Sequence, residues 1–306
     1  MIAWLDKLIV TSVRRTFEPQ PIIRLVFIRI FVPLSVLAFL ASRLVHADDW
    51  LSTAGFHPPA LADDWRQPAA IDPISPAAAW TISVLIVVSG LATAAGALTR
   101  FSSAIFGALL VYTTLADRLE AFTVSKLGTC LVIALAFTPC EARWSVDAWW
   151  KKRTNPKLEL PTHVSGGNVR FFQILLPVFY FSSGMSKAWG DWLTNPYVLF
   201  SHLHDSYQTP VSLFAANHFA PWMWTVMQGT TLAFEALAPL WFGWRVTRPY
   251  AMLYGIAMHM MIGLMFGPVI WFALLMIVLL VGGYANERLL AWLFRLGRSP
   301  AQPGER

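Results

Sequence analysis

The chain has 306 residues, of which 56% are hydrophobic and 13% are charged, and its mean hydropathy is +0.54. A soluble globular domain carries about 25% charged residues, so this composition excludes that class and indicates a polytopic membrane protein. The formal net charge of +6 would suggest nucleic acid in a soluble chain, but the basic residues cluster in particular loops, a pattern that sets membrane orientation. We therefore expect membrane lipid as a partner and no nucleic acid.

Long apolar runs alternate with polar segments along the chain. Residues 1–20 contain both apolar and charged side chains in an amphipathic pattern, which predicts an interfacial helix on an anionic membrane surface. Residues 22–283 predict a transmembrane bundle of about eight helices, and residues 286–306 a cytoplasmic amphipathic helix and tail. The predicted spans are about 22–45, 80–98, 101–115, 127–139, 169–185, 221–241, 250–266 and 269–281. Because no repeat occurs, residues 1–306 form a single predicted all-α membrane domain.

The basic residues predict how the bundle is oriented in the membrane. An even number of spans places both termini on one side, and most Lys and Arg residues fall in the segments of that side. Segments 46–79 and 190–218 hold few basic residues or none, whereas 141–168 is rich in them. Basic loops stay in the cytoplasm. We expect a multi-pass protein of the cell inner membrane with both termini cytoplasmic.

The cysteines and histidines do not form a recognisable metal site. Cys130 and Cys140 lie ten residues apart on a predicted helix, which is about 15 Å and beyond the roughly 7 Å reach of a disulfide. We expect two free, buried thiols. The pair His202-x-His204 and His218 lack the nearby cysteines or carboxylates that would complete a metal site. No metal is predicted.

Three ionisable residues, Arg29, Glu235 and His259, lie within predicted spans and away from their ends. Ionisable groups at membrane depth cost roughly 2.5 to 3.5 kcal/mol each on insertion scales, so each needs a partner or a task. Arg29 in the first span and Glu235 in the sixth lie about 7 Å and 9 Å from the cytoplasmic edge by helix rise. The matched depth predicts a structural ion pair. The alternative is that each side chain extends independently to the near interface.

The stretch YFSSGMSKAWGDWLTNP, residues 180–196, places the lone lysine of an apolar span beside a glycine, hydroxyl groups and tryptophans. Tyr180, Gly184 and Lys187 share one stripe of the predicted helix. One interpretation is an interfacial lysine that extends to water beside a tryptophan anchor. The other is a partly desolvated amine, which becomes neutral and can deprotonate a phenol or hydroquinone.

His259 falls near the middle of the seventh predicted span, among four methionines. A neutral imidazole hydrogen-bonded to a neighbouring helix is one expectation, and a proton relay or a contact with a phenolic ligand is the other. The methionines suit an apolar ligand pocket or ordinary helix packing. We hypothesise that Lys187 and His259 line one cavity that opens toward the outer half of the membrane.

Several motifs occur in the order of a known family. FYFSSGMSKAWGDW resembles the signature of the horizontally transferred transmembrane (HTTM) domain family, in which a tyrosine, small residues and a glycine precede a lysine and a tryptophan. VFIRIFVPLSVLAF, GALTRFSS, RWSVDAWW, TTLAFEALAPLWF and HMMIGLMFGPVIWF resemble other segments of the family, over about residues 24–281. The best-known member of this family is vitamin K-dependent gamma-carboxylase.

The resemblance implies a quinone or hydroquinone of the vitamin K type as cofactor. It places the family's catalytic base on Lys187 and the motif tryptophan on Trp192, and we expect His259 to be catalytic with Lys187. The predicted ligand-binding residues are Tyr180, Ser183, Gly184 and Trp192. The resemblance therefore predicts a redox or carboxylase-like site at the outer end of the fifth span.

The chain ends soon after its last predicted span. We therefore expect no counterpart of the large extramembranous domain that holds the glutamate-rich substrate of the carboxylase. This leaves enzymatic activity open, with quinone-dependent oxidase or carboxylase-like chemistry as one possibility. The alternative is a non-catalytic or peptide-maturation membrane factor that works with a separate soluble or secreted partner.

Overall fold

The computed structural model describes residues 16–57, 71–117, 122–203 and 207–295, together with residues 11 and 14. Within these ranges the chain is built from helices joined by loops, which confirms the predicted all-α class. The helices are α1 (Ile23–Leu44), α2 (Ala47–Leu51), α3 (Pro76–Ala95), α4 (Thr99–Ala116), α5 (Thr123–Ala136), α6 (Val146–Thr154), α7 (Gly166–Trp189), α8 (Val198–Ser201), α9 (Pro210–His218), α10 (Pro221–Ala236), α11 (Ala238–Gly243), α12 (Arg248–Met265), α13 (Ile270–Tyr284) and α14 (Glu287–Arg295). Two 3-10 turns lie at Asp191–Leu193 and Gly267–Val269, and the two-residue strands β1 (Gln20–Pro21) and β2 (His163–Val164) pair antiparallel.

Helix α1 is the centre of the bundle. It packs against α3, α5 and α13, and its buried side chains include Leu25, Ile28, Val32 and Val36. A helix that is apolar on most of its sides must be covered on most of its sides. The first predicted span is therefore core more than it is lipid-facing surface.

Arg24, near the start of α1, is buried at the end of α13. Its guanidinium donates hydrogen bonds to the carbonyls of Gly282 (3.3 Å), Gly283 (2.9 Å) and Ala285 (2.9 Å). The last carbonyls of a helix have no partner within the helix. Arg24 satisfies them and so attaches α1 to α13.

Arg29 is 1% exposed and binds the loop that follows α5. Its guanidinium donates to the carbonyls of Cys140 (3.0 Å), Arg143 (3.2 Å) and Trp144. The predicted ion pair between Arg29 and Glu235 is therefore wrong. A planar guanidinium has several donors in a fixed fork, so carbonyls turned inward can satisfy it without a carboxylate.

The turn between α3 and α4 is held by Asp147 of α6. The carboxylate accepts hydrogen bonds from the N–H groups of Leu98 (2.8 Å) and Thr99 (2.9 Å), and so caps a helix whose own N-cap side chain makes no such bond. Burial opposes the ionisation of Asp147, but these hydrogen bonds outweigh it and lower the pKa of the carboxyl below its ordinary value. Gly96 (φ 71°) allows this close fit, since a Cβ there would lie 2.4 Å from Ser145 Cβ.

Among the described residues, three segments are long and apolar enough to cross a membrane, namely α1, α3 and Gly267–Tyr284, which includes α13. The other predicted spans coincide with shorter or more polar helices. The predicted span 221–241 is divided into α10 and α11 at Leu237, because Pro239 lacks the N–H that a continuous helix needs. The structure thus supports a helical membrane protein, and the number of eight spans stays a prediction.

Helix α14 falls within the predicted amphipathic segment 286–306, with Leu290 buried and Glu287 exposed. The tail 296–306 and most of the predicted helix 1–20 lie outside the described residues. Cys140 is free and buried, and burial raises the pKa of its thiol to about 11. Cys130 is also free but exposed, so its predicted burial is wrong.

Replacing Arg29 by lysine should destabilise the fold, because a single ammonium cannot match carbonyls arranged around a planar guanidinium. Hydrogen bonds to charged groups contribute about 1.5 to 3 kcal/mol each, so we expect the free energy of unfolding to fall by about 2 to 4 kcal/mol. Thermal unfolding in detergent measures this loss. Arg100→Lys changes a side chain that is 70% exposed and serves as the matched control. Equal melting temperatures for the two variants would contradict the assignment.

Candidate functional site

Helices α7 and α10 meet at Gly184. A Cβ added there would lie 2.4 Å from the amide nitrogen of Ala236 and 2.8 Å from the carbonyl carbon of Glu235. Only a residue without a Cβ lets the two backbones approach so closely. The contact places Glu235 of α10 beside Lys187, which lies about one turn after Gly184 on α7. It also fills the space beside Gly184 with helix backbone, which leaves no room there for the predicted contact with a ligand.

Lys187 forms an ion pair with Glu235. Its ammonium donates to Glu235 Oε2 and to Ser183 Oγ (2.8 Å), and it lies 5.2 Å from the centroid of a Trp192 ring. The side chains of Lys187 and Glu235 are 23% and 7% exposed. The sequence predicts an ion pair between Glu235 and Arg29, but in the structure Glu235 is the counter-charge of Lys187.

The ion pair is mostly buried at the contact between α7 and α10. Lys187 lies in the last turn of α7 and Glu235 in the last turn of α10. A mostly buried ammonium needs a counter-charge, and Glu235 supplies it. The interpretation of Lys187 as an interfacial lysine that extends to bulk water does not fit this position.

A cavity of about 520 Å³ opens beside the ion pair. Lys187, Glu235 and Ser183 form part of its wall, and Trp192 lies next to them. The remaining wall is mostly apolar and aromatic, and includes Tyr254, Met258, Met261, Met265, Phe266 and Phe272. A volume and lining of this kind are typical of a site for a small molecule.

Tyr180 and His259 form a second buried pair. Tyr180 Oη lies 2.7 Å from His259 Nε2, and the two residues are 2% and 1% exposed. The Tyr180 ring is parallel to that of Phe242 and meets Phe234 edge-on, so aromatic rings surround the hydrogen bond. Among the described residues, neither member of the pair is part of the cavity wall, although His259 packs edge-on against the wall residue Phe272. The geometry agrees with an imidazole bonded to a neighbouring helix, and it differs from the expected shared cavity.

Some wall residues were not predicted, although helical spacing could have located them. On α10, Met227, Thr231 and Glu235 follow each other at four-residue intervals and all line the cavity. On α12, Tyr254 begins a similar stripe that continues through Met258, Met261 and Met265. The missing information was which face of each helix turns toward Lys187.

Gln228 holds the segment that carries Trp192. Its side-chain amide donates to the carbonyls of Trp192 (2.7 Å) and Asn195 (2.8 Å), and its Oε1 accepts from the N–H of Leu199 (3.2 Å). Gln228 is 3% exposed, so all of these bonds are shielded from water. The segment that follows α7 is thereby fastened to α10, and Trp192 is kept beside the Lys187 ammonium.

The part of the chain that the structure describes holds no group of three or more His, Cys, Asp or Glu residues able to bind a metal ion. His204, half of the His202-x-His204 pattern, lies outside the described residues. His202 is described and lines the cavity. Its imidazole therefore belongs to the cavity wall.

Comparison with known families adds to this geometry. The model of the HTTM domain matches residues 17–282, which include both members of the ion pair and the whole described cavity wall. The chain belongs to the HTTM domain family. It is thus a membrane protein related to the gamma-carboxylase family. No curated protein and no solved structure matches it significantly.

In this HTTM protein, the losses of stability caused by removing Lys187 and Glu235 should not add. Lys187→Met leaves a carboxylate unpaired, and Glu235→Gln leaves an ammonium unpaired, so each should lower the free energy of unfolding by about 2 to 4 kcal/mol. The double variant should lose about 1 to 3 kcal/mol less than the sum of the single losses. Unfolding in detergent measures the cycle.

The matched control is the cycle of Arg29→Lys with Glu235→Gln. These residues bind different partners, so their losses should add. Additive losses for Lys187 and Glu235, or strong coupling of Arg29 with Glu235, would contradict the pairing.

Proposed function

We propose that the protein binds a quinone or hydroquinone head group in the cavity beside Trp192 and that the pair of Lys187 and Glu235 accepts a proton from it. The observation that carries this proposal is a charged pair in the wall of a mostly apolar cavity. Ionisable groups at membrane depth are costly and usually functional. Membership of the HTTM family supports the chemical class of the ligand.

The residues present fit a flat aromatic ligand. A volume of about 520 Å³ lies in the range of small-molecule sites. Trp192 and Phe272 offer aromatic surfaces to a ring, and Met258 and Met261 offer polarizable thioether contacts. Oxygen atoms on the ring would find their hydrogen-bond partners at the ion pair. The wall thus combines a large apolar contact area with a single charged region.

The ion pair changes the role expected for Lys187. The family resemblance predicts Lys187 as the base, but its nitrogen donates hydrogen bonds to both Glu235 and Ser183, and the carboxylate is the acceptor of the pair. Glu235 is then the group that takes a proton from a ligand hydroxyl, while Lys187 orients the carboxylate and Ser183 orients Lys187. A hydroquinone, when bound, would supply the hydroxyl proton that Glu235 accepts.

Filling the cavity should weaken binding without altering the ion pair. Ala257 lines the cavity, whereas Leu253, one turn earlier on α12, is 60% exposed and is not among the described wall residues. We expect Ala257→Phe to weaken the binding of 1,4-dihydroxynaphthalene, measured without oxygen, at least about tenfold and Leu253→Phe to leave it unchanged. Quenching of tryptophan fluorescence in detergent measures both dissociation constants. Equal affinities of the two variants, or no binding by the unmodified protein, would contradict the proposal.

We also propose that segment 141–168 and both termini face the cytoplasm and that segment 190–218 faces outward. The absence of Lys and Arg from residues 190–218 supports this orientation. In a chain whose native cysteines are replaced by alanine, an impermeant thiol reagent applied to intact cells should label Ser206→Cys and not Ser165→Cys. The opposite labelling pattern would reverse the orientation.

A further inference from the structure

His202 lines the same cavity as the ion pair, yet the proposed function gives it no role. It directly follows α8, in the segment between α7 and α10. It therefore reaches the cavity from a different element than Lys187 or Glu235. Its imidazole is a further polar group of the wall, separate from the ion pair.

The hydrogen bonding of His202 decides which ring nitrogen carries the proton. Nδ1 lies 2.7 Å from the carbonyl oxygen of Val198, and because a carbonyl can only accept, Nδ1 must donate. In the neutral imidazole, Nε2 then has a free lone pair. Within the described ranges, Nε2 makes no protein hydrogen bond. It is left as an acceptor for a ligand.

Contacts of the first two residues of α8 position the backbone that leads to His202, which is itself exposed. Val198 is 2% exposed, and the next residue, Leu199, is bonded to the buried side chain of Gln228. The same Gln228 holds the backbone of Trp192, so one buried amide positions two wall residues. A contact that is positioned in advance loses little conformational entropy when a ligand binds.

We propose that Nε2 of His202 accepts a hydrogen bond from a second hydroxyl of the ligand, so that the site selects rings with two hydroxyl groups. This inference rests on the proposed function, in which the first hydroxyl meets Glu235. Both protein groups are acceptors, so the ligand must supply a donor at each contact. A methyl ether or a carbonyl at the second position cannot do so. His202 is thereby a residue that determines specificity.

A series of naphthalene probes separates the two contacts. 1,4-Dihydroxynaphthalene has a donor at both positions, 4-methoxy-1-naphthol at one, and 1,4-dimethoxynaphthalene at neither. Dissociation constants are measured without oxygen by fluorescence quenching of the full chain in detergent. The unmodified protein should prefer the dihydroxy probe to the methoxynaphthol about fivefold, as expected for one net hydrogen bond.

His202→Phe should abolish this preference and retain the preference for 4-methoxy-1-naphthol over the dimethoxy probe, which depends on Glu235. His202→Gln keeps an acceptor near the position of Nε2 and should restore part of the preference. His218→Phe is the matched control, because His218 Nδ1 bonds the carbonyl of Phe214 (2.8 Å) in the same way but is not among the described wall residues. It should behave as the unmodified protein.

The possible failures are distinguishable. An unchanged preference in His202→Phe, or an equal loss of affinity for all probes at an unchanged melting temperature, would overturn the role of His202 and leave the proposed function intact. If no probe binds to the unmodified protein, the proposed function fails and this inference fails with it.

Discussion

The close contact of α7 and α10 at Gly184 is the constraint on which the site depends. Any Cβ at this position would meet the backbone of Ala236, so a larger residue must push the two helices apart. Separation would take Glu235 away from Lys187 and leave two charges without partners at depth. It would also move the cavity face of α10. A single glycine thus determines both the electrostatics of the site and the shape of its wall.

The buried cations of this protein are satisfied in different ways, and the difference follows from their shape. Arg24 and Arg29 each bind several peptide carbonyls, because a guanidinium presents several donors in one plane. Lys187 is a compact point charge, and it is paired with a carboxylate. The arginines therefore attach loops and helix ends to α1, and Glu235 is available for the ion pair at the cavity.

The segment between α7 and α10 is part of the site and packs against α10 and α12. Leu203, Trp224 and Met265 belong to a small apolar cluster of their own, which joins this segment to α10 and α12. Gln228, whose side chain is buried, adds hydrogen bonds to the backbone of this segment. Gln228 and α8 thus position the backbone from which Trp192 and His202 reach the cavity, and a positioned wall is a condition for selecting one ligand over another.

Composition and local spacing determined the class of this protein and part of its site. A chain with 56% hydrophobic and 13% charged residues must satisfy its backbone by internal hydrogen bonds where it lies in lipid, and its long apolar runs favour helices. Motif order indicated the HTTM family, which the family match confirms. Ser183 and Lys187 are four residues apart, and four-residue spacing on a helix places side chains together whatever the rest of the fold does.

The partner of Lys187 was decided only by the tertiary structure. Depths counted along each span assume that all helices begin at one plane, and this assumption placed Glu235 beside Arg29. The height of α10 relative to α7 depends instead on packing at Gly184, between residues about fifty positions apart in the chain. The same holds for Tyr180 and His259, whose hydrogen bond requires that α7 and α12 be neighbours. Helical periodicity specifies which residues share a face, but the contacts between helices specify which faces meet.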